Sequence, residues 1–192
     1  MLEEEYNPRR TLPTHLKKKP EPEPEFAFVI RDAEERDLPD IREIYNHYVA
    51  NSTVTFDEDP LTLAELRAKF RHNAKLGYPW LVAASPSGQI LGYANAAPWK
   101  QKAAYRYTVE NSIYLRAAST GKGLGTALMS EFLVRAKAAG IKEVIAVIAD
   151  KGADASIAMH RSFGFKEVGR MGKVGYKFGR WLGTVLMQKS LK

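Results

Sequence analysis

The sequence predicts a mixed α/β fold, a central mixed sheet flanked by about four helices, and three observations carry that expectation. Strand-like and helix-like segments follow one another in the order β-α-α-β-β-β-α-β-α-β-β. A meander of strands therefore feeds one strand–helix–strand crossover, which is not the repeated unit of an all-parallel fold. Residues 144–149 form an unbroken apolar run, the composition of a strand covered on both faces. The amphipathic stretches also carry start and stop signals where helix ends need them.

The folded part is expected to span residues 26–192 as one domain behind an extension of residues 1–25. Pro8, Pro13, Pro20, Pro22 and Pro24 sit among charges there, and the Pro-Glu repeat over 20–25 favours extended or disordered chain. Residues 26–31 have strand composition. Leu38, Ile41, Ile44, Tyr45, Tyr48 and Val49 recur with the spacing of one helical face. Pro39 is tolerated only in a first turn, which starts that helix near Asp37. Thr62 followed three residues later by Glu65 is a capping box. It opens a helix through Leu63, Leu66 and Phe70 that stops at Gly77.

Residues 80–84 and 89–96 read as strands joined by the turn Ser85-Pro86-Ser87-Gly88. Residues 107–115 alternate as a long strand. A third helix is expected from about Gly123 to Ala139, with Leu124, Leu128, Phe132 and Ala136 on one face and Gly140 ending it. After the buried strand, residues 154–163 read as a short helix ended by Gly164, and residues 166–188 hold two further strand-like stretches.

Composition narrows the function classes. The 192 residues include no cysteine, so no disulfide framework, thiolate metal site or cysteine nucleophile is expected. No long apolar run points to a membrane span, no leader pattern opens the chain, and the cytoplasm is the expected compartment. The net charge is +7, and since residues 1–28 hold five Lys/Arg against six Asp/Glu, the excess sits on the folded part. A basic domain favours an anionic partner, whether nucleic acid, a membrane surface or a phosphorylated small molecule, with a merely solvated basic surface as the plain alternative. No aromatic-basic stripe of the kind that tracks nucleic acid is present, and four scattered histidines give no metal-ligand spacing.

The strongest local feature is Gly121-Lys122-Gly123-Leu124-Gly125-Thr126, between a strand and a long amphipathic helix. Glycines allow positive φ and close backbone approach, and the helix start offers free N–H donors, so the segment suits a pyrophosphate. It is not a Walker loop, because Gly123 stands where Ser or Thr is needed after Lys122. A dinucleotide fingerprint would need glycine in place of Thr126.

This loop, the flanking strand and helix, and the later helix ending in Gly164-Phe165 resemble the acetyl-CoA-binding half of the GCN5-related N-acetyltransferases. Narrower segments extend the likeness: Ile44-Tyr45-Asn46-His47-Tyr48, Pro98-Trp99-Lys100, Ala104-Tyr105, Thr108-Val109-Glu110-Asn111-Ser112-Ile113-Tyr114 and Lys177-Phe178-Gly179-Arg180-Trp181. Together they resemble the phosphinothricin and methionine sulfoximine/sulfone acetyltransferases over about residues 29–191. The resemblance implies a mostly antiparallel sheet and direct acetyl transfer from acetyl-CoA to the amine of a small amino-acid analogue. It also implies a homodimer, with neither nucleic acid nor membrane as partner. Rival expectations are a catalytically silent acyl-CoA-binding module and an enzyme for polyamines or protein N-termini.

The resemblance also implies site residues. Glu110 matches the family's general base, although composition alone favours an outward solvated residue. Ile113, Tyr114 and Leu115 are expected along the pantetheine arm, with the Leu115 N–H facing the reacting carbonyl oxygen. Gly121, Lys122, Gly123, Leu124, Gly125 and Thr126 would take the pyrophosphate, and Ala153 and Ser162 lie at further cofactor positions. His160 stands where relatives carry a tyrosine that reprotonates the leaving thiolate, and a structural role for it stays open. Ala103, Ala104, Tyr105 and Arg106 are expected near the acceptor, with Phe56 as a wall and Arg106 meeting a carboxylate. Two positions depart from the family pattern: Thr120 replaces a Gln/Arg and Ala153 replaces an Asn.

Overall fold

The computed structural model describes residues 26–192; the expected extension over 1–25 lies outside the described residues. In chain order the elements are β1 (Val29–Asp32), α1 (Leu38–Asn51), α2 (Leu63–Lys75), β2 (Trp80–Ala84), β3 (Ile90–Pro98), β4 (Thr108–Leu115), α3 (Leu124–Ala138), β5 (Glu143–Ala149), α4 (Asp154–Ser162), β6 (Lys166–Lys177) and β7 (Arg180–Ser190). Short 3₁₀ turns precede α1 and flank β4. The strands form one seven-stranded sheet in the order β1-β2-β3-β4-β5-β7-β6. Every pairing is antiparallel except β4 with β5, the one place where a crossover through α3 makes parallel neighbours.

Local signals place the helix starts. Pro39 sits in the first turn of α1. Thr62 Oγ1 accepts from the Glu65 N–H at 3.2 Å, and Glu65 Oε2 accepts from the Thr62 N–H at 2.8 Å, so two otherwise unpaired helix-end donors are satisfied. One expectation needs correcting. The first strand begins at Val29, not Phe26, because Val29 pairs with Ala84, the last residue of β2, and nothing remains for Phe28 to pair with. Phe26 and Phe28 instead pack on the core with their rings 5.8 Å apart.

Strand alternation divides the core into two layers. Leu81, Ala83, Ala94 and Val109 meet Leu124, Leu128 and Phe132 of α3 on one face. Trp80, Val82, Ile90 and Tyr93 meet Leu38, Ile41 and Leu66 of α1 and α2 on the other. The sheet is thus covered on both sides around β2–β4. Among the described residues no helix is long and apolar enough to cross a membrane.

Candidate active site

The site begins where β4 and β5 part. Their parallel ladder holds only three pairs, Thr108 with Glu143, Val109 with Val144 and Glu110 with Ile145. Both strands continue past that point, so residues 111–115 of β4 face a cleft where β5 would otherwise lie. Register fixes which backbone groups point there. The Arg116 N–H donates to Leu91 O at 2.8 Å and the Trp99 N–H to Thr108 O at 3.3 Å. In an antiparallel pair such bonded positions alternate, so even-numbered residues of β4 bond to β3. The N–H groups of Ile113 and Leu115 therefore point away from β3, into the cleft, whereas that of Asn111 is spent on β5 at the last ladder pair. Leu115 also offers its carbonyl on that side, where it accepts from the Tyr48 hydroxyl at 2.7 Å.

The glycine loop closes one end of the cleft. Gly121 has φ 73° and Gly123 has φ 77°, left-handed values that residues with a Cβ adopt at a cost. Gly123 is the N-cap of α3 and carries no side-chain cap, so the first N–H groups of the helix remain available to an anion. A Cβ on Gly125 would lie 3.6 Å from Leu115 Cδ1 and 3.4 Å from Met159 Sδ. The first turn of α3, the end of β4 and α4 thus meet at one place.

The two departures from the family pattern have plain local structures. Thr120 turns its hydroxyl onto Ala117 O at 2.8 Å, capping its own turn. Ala153 is the buried N-cap residue of α4, which starts with no side-chain cap. Ser162 donates to Met159 O at 2.7 Å within its own helix. The Lys122 ammonium lies 4.8 Å from the centre of the Phe26 ring, tethered at the loop by a cation–π contact.

Glu110 sits at the fork itself. It shares the α1/α2 face of the sheet with Tyr114, opposite Ala97. Burial raises its carboxyl above the ordinary range, and Lys100 is the charge that opposes the rise. A carboxylate held this way is a stronger base than one in water. Sequence reasoning assigned no role to Lys100. The signal was present in the register: Pro98 pairs with Val109, so Lys100 lies just past the end of β3, beside the start of β4. The Arg106 guanidinium packs 4.7 Å from the Tyr107 ring and bonds to Ala103 O at 3.2 Å, while the cation acting on Glu110 is Lys100. Lys100→Met is expected to move the acidic limb of the pH–rate profile to higher pH, because the charge that lowers the Glu110 pKa is gone. A profile measured over the range where kcat/KM falls checks this.

His160 is buried on the other face. Ser156 O, which can only accept, lies 2.8 Å from Nδ1, so Nδ1 carries the proton and Nε2 is the acceptor. Asn111 Nδ2 donates to that Nε2 at 3.1 Å. Burial lowers the imidazole pKa, and the Phe165 ring meets it edge-on at 4.8 Å. Both ring nitrogens are engaged and the ring is neutral at pH 7. The same chain of bonds orients Asn111: with Nδ2 on the histidine, its buried Oδ1 has no protein partner. A buried acceptor left unpaired costs about 1–3 kcal/mol, so Asn111 calls for a donor beside the cleft.

Residues 103–105 form a 3₁₀ turn between β3 and β4. Tyr105, Trp99, Lys100 and Lys102 line an open hollow of about 580 Å³ at the same end of the sheet as Glu110. Phe56, half-buried, lies over β6, where the missing Cβ of Gly175 makes room for its ring. A separate hollow of about 340 Å³ between Phe70, Tyr78, Trp80 and the Asp32–Arg135 pair holds none of these residues. The residues present fit acetyl-CoA on three counts: an anion-ready loop, outward amides on β4, and an orphaned buried acceptor on Asn111 at the fork, suited to a ligand that carries amide N–H groups.

Comparison with known proteins agrees with this arrangement. The family described as acetyltransferase (GNAT) domain matches residues 30–186. The L-methionine sulfoximine/L-methionine sulfone acetyltransferase of Pseudomonas aeruginosa is 45% identical over 162 residues, 84% of this chain and 94% of the relative. The phosphinothricin N-acetyltransferase of Alcaligenes faecalis is 38% identical over 165 residues, 86% of this chain and 83% of the relative. Among solved structures, a GNAT superfamily phosphinothricin acetyltransferase from Sinorhizobium meliloti in complex with AcCoA superposes with a TM-score of 0.81 at 44% identity, covering 85% of this chain and 88% of that one.

Proposed function

The chain belongs to the GNAT acetyltransferase family, and on that premise we propose that it acetylates the α-amine of a small amino-acid analogue of the methionine sulfoximine, methionine sulfone or phosphinothricin kind. It is an acetyl-CoA-dependent N-acetyltransferase. The observation that carries the proposal is the fork of β4 and β5, with a partly buried carboxylate at its apex and unpaired amides along one edge. A binding-only module has no use for a base at that apex.

Acetyl-CoA, when bound, supplies an acetyl group activated as a thioester. Residues 121–126 hold its pyrophosphate by backbone N–H groups and the α3 dipole, with Lys122 adding charge. The cleft-facing amides of Ile113 and Leu115 and the orphaned Oδ1 of Asn111 are the partners for the pantetheine arm. Glu110 takes a proton from the substrate ammonium, directly or through one water, so that the nitrogen has a lone pair for attack. The Leu115 N–H donates to the carbonyl oxygen as negative charge builds on it. The C–N bond would form as the C–S bond breaks, the CoA sulfur leaving as thiolate and taking up, directly or through solvent, the proton that the attacking nitrogen sheds, and no covalent acyl-enzyme is needed in a chain without cysteine. We assign His160 to holding Asn111, since proton donation from Nδ1 would break its bond to Ser156 O. Lys100, with Tyr105 and Trp99 around it, is the group that meets the acidic end of the acceptor.

We further propose that the reaction takes place in the cytoplasm and that the chain works as a homodimer. Val174, Tyr176, Phe178 and Trp181 leave an apolar stripe more than half exposed on the β6–β7 hairpin, and light scattering on an eluting peak checks the dimer. The function itself is tested by thiol release from acetyl-CoA in the presence of the three analogues, with polyamines and an amino-terminal peptide as alternatives.

A further inference from the structure

A buried ammonium that the chemistry above does not use lies at the tip of the β6–β7 hairpin. Lys177 is 1% exposed, and no carboxylate pairs with it at salt-bridge distance among the described residues. Its three donors are accounted for by other means. Nζ donates to Ser52 O at 2.9 Å and to Thr55 O at 3.0 Å, and it lies 4.9 Å from the centre of the Phe178 ring. The turn is built to present it. Lys177 pairs with Arg180 across a two-residue connection, and Phe178 and Gly179 have φ 50° and 73°, the left-handed pair that a tight hairpin of this twist requires. Phenylalanine pays a backbone cost at such a φ that Asn or Gly would not. Its ring is what the ammonium rests against.

The segment that Lys177 holds, residues 52–57, joins α1 to the chain leading into α2 and runs over the Glu110 face of the sheet. Thr55 is buried and lies 3.1 Å from the Tyr45 hydroxyl, and the Tyr45 ring meets the Tyr114 ring edge-on at 5.3 Å. Tyr114 stands four residues along β4 from Glu110, on the same face of the strand. Tyr45 also donates to Asp57 at 2.5 Å. A second anchor lies two residues before Lys177 on β6: a Cβ at Gly175 would come within 2.5 Å of the Phe56 ring. The segment is thereby clamped between β4 on one side and the hairpin on the other, with Phe56 in the middle.

We propose that Lys177 is a positioning residue for the acceptor: its ammonium, by gripping two main-chain carbonyls 122 and 125 residues earlier, sets the height of the 52–57 segment and so the wall that Phe56 presents to the amino-acid substrate. The hairpin is thus a strut for acceptor specificity. It has no part in holding acetyl-CoA, whose loop and cleft lie on α3 and the β5 side of β4. The proposal rests on the reading that an amino-acid analogue is acetylated beside Glu110, and its test separates the two.

The test compares the wild type with Lys177→Met, which keeps an unbranched side chain one atom shorter and removes its charge and donors. Two readouts are taken: steady-state kinetics with methionine sulfoximine and acetyl-CoA varied in turn, and amide hydrogen exchange over residues 52–57. The acceptor KM is expected to rise by about 10–100-fold, the ratio implied by losing one or two charge-assisted hydrogen bonds, with the acetyl-CoA KM changed less than about twofold. Exchange over 52–57 should rise while exchange in α3 stays as in the wild type. Gly175→Ala attacks the other anchor and should give the same split even if Lys177→Met folds poorly. In the double variant the effects should be less than additive, since both release one segment. Equal rises in both KM values, or exchange over 52–57 unchanged in folded variants, would overturn the proposal. A wild type that acetylates none of the analogues would overturn the functional reading instead, while the exchange experiment still reports whether Lys177 holds the segment.

Discussion

Glu110→Gln is expected to lower kcat/KM by about 10²–10⁴, the range associated with removing a general base, and to leave acetyl-CoA binding intact. The amide keeps the size and planarity of the carboxylate. What it loses is the ability to accept a proton from the substrate ammonium. The environment makes the loss visible. Burial raises the Glu110 carboxyl above its ordinary range, with only Lys100 pulling it back, so the wild-type rate should fall as pH drops through that raised pKa. In the Gln variant this acidic limb should disappear from the kcat/KM profile, because no group at the fork is left to titrate. Turnover at the wild-type level in a folded Glu110→Gln protein would remove the residue from the mechanism.

Gly123→Val is expected to abolish the thermal shift that acetyl-CoA produces. A ligand at about 100 times its Kd stabilises a protein by about 2.7 kcal/mol, which for a chain of this size corresponds to a rise in Tm of about 5–10 °C. Gly123 combines two requirements that valine cannot meet. Its φ of 77° is left-handed, and it is the N-cap from which the free N–H groups of α3 point outward. Nothing lies within 4 Å of where its Cβ would be, so the substitution causes no clash. It costs about 1–3 kcal/mol in backbone strain and places a branched side chain at the mouth of the anion site. Circular dichroism should show the fold retained. A full acetyl-CoA shift in the valine variant would reduce the loop to a simple turn.

Much of this architecture was legible in the residues. Trp80–Ala84 matches its expected bounds because a fully apolar strand is closed by a Ser-Pro-Ser-Gly turn. The helices start where Pro39, Thr62 and Gly123 require, since caps act within one turn and need no knowledge of the rest of the chain. What the sequence hid depends on partners far away along it. Lys100 reaches Glu110 only through the β3–β4 register. Lys177 looks like any surface lysine until its two carbonyl partners are seen, and a buried ammonium satisfied by main chain leaves no compositional trace. His160 read equally as an acid or as a structural group, and only the Ser156 carbonyl on Nδ1 and Asn111 on Nε2 decide what it can do. The strand beginning at Val29 instead of Phe26 has the same origin: tertiary packing of two aromatic rings outweighs their strand propensity.

The central claim, acetylation of an amino-acid analogue on its α-amine, is tested most directly by identifying the product. The full chain is incubated with acetyl-CoA and L-methionine sulfoximine, and the reaction is followed by mass spectrometry together with thiol release. The account predicts N-acetyl-methionine sulfoximine formed in equal amount with free CoA, and neither formed by Glu110→Gln at a comparable rate. Release of CoA without an N-acetylated product, or no release with methionine sulfoximine, methionine sulfone or phosphinothricin, would contradict it.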